Sequence, residues 1–163
     1  MIVHVLSRPA VHGVITTAYL IHVISRHNIC ILMIGPDRGK IMLEGRSVLL
    51  VEDEYFIADD LAGTLRAAGA RVIGPIGTLE NALKQVSEDG LPDAALLDVD
   101  LHGERAYPLV DLLTQKDVPV VLVTGYDRAA LPPLYRHLPH VMKPADIDTI
   151  LPMLKEMTYK PTT

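Results

Sequence analysis

The sequence predicts an α/β fold, a doubly wound five-stranded parallel sheet, preceded by an N-terminal extension of different character. Three observations predict it. From Ser47 onward, short apolar runs alternate with stretches of helical periodicity. The apolar fraction is 49% but aromatic residues are only 4%, so the chain can pack a core and that core is aliphatic. Acidic, hydroxyl and ammonium side chains directly follow successive apolar runs, which is where such sheets gather ligand-binding groups.

Each element has its own justification. Ser47-Val48-Leu49-Leu50-Val51 is a continuous apolar run, as expected of a strand buried on both faces. Tyr55 to Ala68 places Phe56, Ile57, Ala58, Leu61, Leu65 and Ala68 near helical spacing and is ended by Gly69. Arg71 to Pro75 reads as a second strand. Thr78 is an N-cap for a helix through Val86, with Leu79, Ala82, Leu83 and Val86 on one face. Ala94 to Leu97 is a third strand, entered through Pro92. Glu104 to Gln115 reads as a third helix, carrying Leu109, Val110, Leu112 and Leu113. Val118 to Val123 is the most strand-like stretch. Ala129 to Leu138 is expected to be a poor fourth helix, because Pro132 and Pro133 interrupt it. Val141-Met142 ends a fifth strand, and Asp146 to Met157 forms the last helix, with Pro152 inside it.

Length and charge narrow the function. The 163 residues suggest one domain with some tens of residues to spare. A single cysteine, Cys30, excludes an intramolecular disulfide framework and a four-thiolate zinc site. The net charge of −5 argues against nucleic acid as a partner, since phosphate contacts need a basic stripe. That charge is unevenly divided. Residues 1–41 hold Arg8, Arg26, Arg38 and Lys40 against Asp37, a balance of +3, which leaves −8 for the remainder.

The strand ends carry the chemistry. Glu52, Asp53 and Glu54 follow the first strand, Asp98 and Asp100 the third, Thr124 the fourth and Lys143-Pro144 the fifth. Carboxylates this close repel unless a cation neutralises them, and hard divalent ions such as magnesium take oxygen ligands. A metal site of His102 and His140 with Asp98 is the lesser reading, because lone histidines near a strand end are more often surface residues.

These residues resemble the receiver domain of bacterial two-component response regulators, a flavodoxin-like fold. The match runs from Val48-Leu49-Leu50-Val51-Glu52-Asp53-Glu54 through Leu97-Asp98-Val99-Asp100-Leu101-His102-Gly103 and Val123-Thr124-Gly125 to Met142-Lys143-Pro144. It implies that Asp98 is the phosphoacceptor, that Asp53 binds Mg²⁺ directly and Glu52 through water, and that Asp98 and the backbone carbonyl of Asp100 complete the metal site. It further implies that Thr124 and Lys143 each contact a phosphoryl oxygen. Asp100 and Tyr126 fall at the family positions that tune dephosphorylation. His140 stands where the family usually has Tyr or Phe, a departure at the position of its aromatic switch. The run Thr124-Gly125-Tyr126 resembles a subgroup of stand-alone receivers found with alphaproteobacterial stress-response kinases. The resemblance implies a cytoplasmic signalling protein rather than an enzyme. Its partners would be a histidine kinase or histidine phosphotransfer protein and a downstream protein target.

One enzyme reading competes. Leu96-Leu97-Asp98-Val99-Asp100 also resembles the strand-end Asp-x-Asp of haloacid-dehalogenase-type phosphatases, which would use Asp98 as nucleophile and Asp100 as acid/base. In those enzymes the last acidic pair follows the lysine, whereas here Glu52-Asp53 precedes the nucleophile.

By this reading residues 42–158 are the receiver domain and 159–163 a tail, with no DNA-binding effector after it, so the protein acts as a single-domain regulator. For residues 1–41 two readings stand side by side. Val14–Ile24 and Ile29–Ile34 form a β-hairpin around Arg26-His27-Asn28, its apolar face covered by dimerisation. Alternatively, the natural product starts at Met42. A membrane span is not expected, because Arg26 interrupts the apolar stretch and an arginine at mid-membrane costs roughly 2.5–3.5 kcal/mol.

Overall fold

A computed structural model describes the backbone of residues 3–6, 19–25 and 28–34, and residues 43–159 with their side chains. The chain divides into two compact units, Met1–Lys40 and Ile41–Thr163. In the first, β1 (Val3–Leu6), β2 (Tyr19–Ser25) and β3 (Asn28–Ile34) form an antiparallel sheet in that order, with Ser25 opposite Asn28. The expected strand start at residues 14–18 and the turn residues Arg26 and His27 lie outside the described residues, as do Met42 and residues 160–163.

The second unit contains β4 (Ser47–Val51), α1 (Tyr55–Ala67), β5 (Arg71–Ile76), α2 (Leu79–Asp89) and β6 (Ala94–Asp98). These are followed by β7 (Asp100–Leu101), β8 (Glu104–Arg105), α3 (Tyr107–Thr114), β9 (Val120–Thr124), β10 (His140–Met142) and α4 (Ile147–Thr158). Five strands form one parallel sheet in the order β10-β9-β6-β4-β5. Because side chains alternate across a strand, each apolar run feeds two cores. On one face Leu49, Val51, Leu97 and Leu122 pack with the helices that supply Ala82, Val86, Leu109 and Leu113. On the other, Val48, Leu50, Leu96 and Val123 pack with Leu61, Leu65, Ile150 and Leu154. Most of these side chains are fully buried, and each buried leucine contributes roughly 1.5–3 kcal/mol.

Local signals account for the helix ends. The Thr78 hydroxyl accepts the Asn81 N–H at 3.3 Å and caps α2, and the Asp146 carboxylate accepts the Asp148 N–H and caps α4. Gly69, at φ +89, supplies the left-handed residue after α1. Pro152 lies within α4, which continues through it.

Two expectations are corrected. The third helix does not begin at Glu104: Glu104–Arg105 pairs antiparallel with Asp100–Leu101, and α3 runs only from Tyr107 to Thr114. The pairing is closed by consecutive left-handed residues, His102 at φ +52 and Gly103 at φ +88, which no helical pattern reveals. The fourth helix is absent. Between β9 and β10 lie two 3₁₀ turns, Arg128–Ala130 and Pro133–Tyr135, because Pro132 and Pro133 lack the N–H groups a helix needs. Arginine bonds replace the helical ladder: Arg136 donates to the carbonyls of Leu131 and Ala129, both at 2.7 Å, and Arg128 donates to the Arg136 carbonyl at 2.8 Å. Among the described residues no helix is long and apolar enough to cross a membrane.

Candidate functional site

Parallel strands deliver their carboxyl ends to one side of the sheet, and there β4, β6, β9 and β10 place Glu52, Asp98, Thr124 and Lys143 together. The Lys143 ammonium is the hub. Its Nζ lies 2.6 Å from Asp98 Oδ2, 2.8 Å from Glu52 Oε1 and 3.3 Å from Glu54 Oε1. Asp98 and Glu52 are buried, Thr124 is fully so, and the depression above them is lined by Asp53, Glu54, Asp100 and Tyr126 among others. The sequence marks Glu54 as a strand-end residue, and its contact with the lysine emerges only in the fold.

The electrostatics are one-sided. Glu52, Asp53, Glu54 and Asp98 bring four carboxylates against one ammonium. Burial opposes the charge on Lys143, but its hydrogen bonds to Asp98 and Glu52 outweigh that and hold its pKa above the ordinary lysine range. Burial pushes the Glu52 pKa up, against the hydrogen bond from Lys143. The structure also leaves Glu52 Oε2 buried with no hydrogen-bond partner. Carboxylate oxygens of Glu52, Asp53 and Asp98 all lie within 4.8 Å of one another. An orphaned buried oxygen beside two more carboxylates is a donor set that fits a hard divalent cation, which takes oxygen ligands.

Around this centre runs a polar rim. The Asp98 Oδ1 accepts the Asp100 N–H at 3.0 Å. The Asp100 carboxylate turns to the β7–β8 hairpin: Oδ1 accepts the Gly103 N–H at 2.7 Å, and Oδ2 accepts the Tyr126 hydroxyl and the Arg105 guanidinium, both at 3.1 Å. The Gly103 N–H above all holds the Asp100 carboxyl below the usual carboxylate range against desolvation, with smaller help from Tyr126 and Arg105. Arg105 also donates to the Tyr126 hydroxyl and lies 4.6 Å from the centre of its ring. The Tyr126 N–H donates to the Thr124 hydroxyl at 3.3 Å, and His140 Nε2 lies 2.9 Å from the Tyr126 carbonyl.

The sequence-derived set Glu52, Asp53, Asp98, Asp100, Thr124, Tyr126, His140 and Lys143 is thus gathered at one end of the sheet. The lesser metal reading is corrected, because its two histidines have other partners. His140 meets the Tyr126 backbone, and His102 meets Asp53 rather than joining the group of close ligand oxygens. Arg105 escaped the sequence reading because it was placed inside a helix, where nothing ties it to Asp100 or Tyr126. The only available signal was the glycine at 103, which favours a tight turn over a helix start.

Similar proteins point the same way. No family model matches the chain. The sensory transduction protein LytT of Bacillus subtilis is 34% identical over 113 residues, 67% of this chain and 46% of LytT. The BeF3-activated conformation of SdrG from Pseudomonas melonis Fr1 is 33% identical with a TM-score of 0.60, covering 72% of this chain and 100% of that one. The response regulator PhyR from Brucella abortus is 25% identical with a TM-score of 0.59, covering 74% of this chain and 50% of that one. The chain therefore spans about half the length of LytT and of PhyR. Sheet order, strand-end residues and full-length correspondence to SdrG agree: the chain belongs to the receiver-domain family of response regulators.

Proposed function

We propose that this chain accepts a phosphoryl group on Asp98 from a phosphohistidine of a histidine kinase or histidine phosphotransfer protein, and signals to a downstream protein by contact. The observation that carries the reading is the half-buried Lys143 ammonium at 2.6 Å from the buried Asp98 Oδ2.

In the transfer an Asp98 carboxylate oxygen forms a bond to phosphorus as the P–N bond to the donor imidazole breaks. The imidazole leaves with the electron pair, and the product is an acyl phosphate. A carboxylate approaching a phosphoryl group must overcome charge repulsion, and Lys143 offsets it by holding one phosphoryl oxygen. Thr124 turns its hydroxyl to a second oxygen, releasing the Tyr126 N–H. Glu52, Asp53, Asp98 and the Asp100 backbone carbonyl are the groups that would hold Mg²⁺, Glu52 through water; when bound, that ion would neutralise charge developing on the phosphoryl oxygens. Asp100 and Tyr126 set the lifetime of the phosphoryl group. His140, bonded to the Tyr126 backbone, occupies the position of the family's mobile aromatic, and Tyr126 supplies an aromatic ring two residues after Thr124 instead. An acyl phosphate is short-lived, which suits a reversible switch that shifts the loop after β9 between two arrangements.

The signalling unit is residues 42–158, acting in the cytoplasm without nucleic acid and without turnover of a separate substrate. The phosphatase alternative needs Asp100 as a general acid. Its carboxylate is instead occupied by three donors and held in its ionised form, which does not suit proton donation near neutral pH.

Acetyl phosphate with Mg²⁺ tests the proposal. Intact-mass measurement is expected to find one added phosphoryl group on the wild-type chain and none on Asp98→Asn. Equal labelling of the variant removes Asp98 from the role, and catalytic turnover of a phosphate ester revives the phosphatase.

A further inference from the structure

We propose that His102 is a positioning residue for the cation site, clamping Asp53 through two N–H groups at once so that one oxygen is fixed and the other stays free. The inference rests on the reading of the carboxylate cluster as a divalent-cation site.

Two donors from one residue converge on Asp53 Oδ2. The His102 backbone N–H reaches it at 2.9 Å, and the ring Nδ1 also lies at 2.9 Å. With a proton on Nδ1, both donate. Among the described residues no hydrogen bond engages Asp53 Oδ1. Asp53 is thereby held in one orientation at the edge of the cluster, its side chain only 11% exposed.

The convergence depends on an unfavourable backbone. His102 sits at φ +52, in the left-handed region that a residue with a Cβ enters at a cost of about 1–2 kcal/mol. Glycine would enter it freely, and Gly103 beside it does so at φ +88. Strain retained at a non-glycine residue next to a charged cluster points to a role for the side chain. That role is not packing, because the His102 side chain is 69% exposed. Nor is it a large gain in stability, since an exposed pair of this kind contributes little. It is not direct ligation either, because His102 is not one of the residues whose donor atoms cluster within 4.8 Å. What remains is the orientation of Asp53. Hydrogen-bonding partners behind a metal ligand fix its geometry, and their removal typically weakens metal binding by about 10–100-fold.

The test uses the full chain, wild type and two variants, with Mg²⁺ and Mn²⁺ affinities measured by titration calorimetry and thermal unfolding recorded in EDTA. His102→Gly keeps the backbone N–H and relieves the left-handed strain but removes the ring donor. It is expected to unfold at the same or a higher temperature while binding either ion at least about tenfold more weakly. His102→Asn tolerates the left-handed conformation and restores a side-chain N–H, and is expected to recover part of the lost affinity. Undiminished cation affinity in His102→Gly overturns the inference and leaves the cation site standing. A purely structural role, with lower unfolding temperature and unchanged affinity, also overturns it. Absence of cation binding by the wild-type chain removes the site itself and this inference with it.

Discussion

Asp53→Asn is expected to stabilise the ion-free protein while abolishing its response to divalent cations. The magnitudes separate Asp53 from its neighbour Asp98. Carboxylate oxygens of Glu52, Asp53 and Asp98 lie within 4.8 Å of one another. At an effective dielectric of about 20, like charges at that distance repel by about 3.5 kcal/mol per pair. Asp53 takes part in two such pairs and receives no bond from Lys143, whose contacts go to Glu52, Glu54 and Asp98. Asp98 also takes part in two, but by the same measure its 2.6 Å contact with Lys143 returns about 6 kcal/mol. Asp98→Asn therefore removes repulsion and attraction of similar size, whereas Asp53→Asn removes repulsion without losing an ammonium partner, its amide oxygen still accepting from the two His102 donors. Solvent and salt at the open side of the cluster screen these gross figures severalfold. The expected net gain for Asp53→Asn is about 1–2 kcal/mol, with Asp98→Asn close to wild type. Urea unfolding in EDTA measures both. Adding Mg²⁺ to a hundred times its dissociation constant should stabilise the wild type by about 2.7 kcal/mol and leave Asp53→Asn nearly unmoved. An Asp53→Asn protein less stable than wild type in EDTA would refute the electrostatic reasoning.

Three further outcomes follow from the fold. A Cβ on Gly74, at φ +108, would lie 2.6 Å from the Leu50 carbonyl oxygen of the adjacent strand, so Gly74→Ala should destabilise by about 2–4 kcal/mol in denaturant titration. Arg136→Ala removes two 2.7 Å bonds that shape the 3₁₀ segment and should lower stability by about 1–3 kcal/mol, with faster amide exchange confined mainly to residues 128–138. Burial, then the hydroxyl bond to Asp111, raise the Tyr135 pKa above the ordinary tyrosine value of about 10. The fold thus favours the neutral phenol, so this contribution is complete below pH 10 and lost as pH climbs through the raised value. Tyr135→Phe keeps the ring that stacks 4.3 Å from Tyr107, so its stability deficit against wild type should shrink above pH 10. A deficit independent of pH up to 11.5 would count against the assignment.

The parallel sheet was readable because its signal is redundant. Val48 to Val51 and Val120 to Val123 are apolar at every position, and only a strand covered on both faces requires that. The site was readable for a related reason: a strand's end fixes where the next side chain lies, so Glu52, Asp98, Thr124 and Lys143 converge once the strands are parallel. Contacts that depend on backbone handedness or on side chain-to-backbone bonds were not legible. Nothing periodic marks His102 as left-handed, and so the hairpin that carries Arg105 to Tyr126 looked like the first turn of a helix. Pro132-Pro133 correctly warned of a poor helix, but not that arginine side chains would take over the role of helical hydrogen bonds.

The Lys143–Asp98 contact has a kinetic consequence. In the resting chain the ammonium already occupies the near side of Asp98 Oδ2, at 2.6 Å, and is shared with Glu52. Any group that bonds to this oxygen removes the charge that holds the ammonium there, so the lysine must change partners as that bond forms. Derivatisation of Asp98 Oδ2 is then an exchange of partners rather than a simple addition. Its barrier includes breaking a charged hydrogen bond, and its product leaves Glu52 as the ammonium's remaining buried anchor.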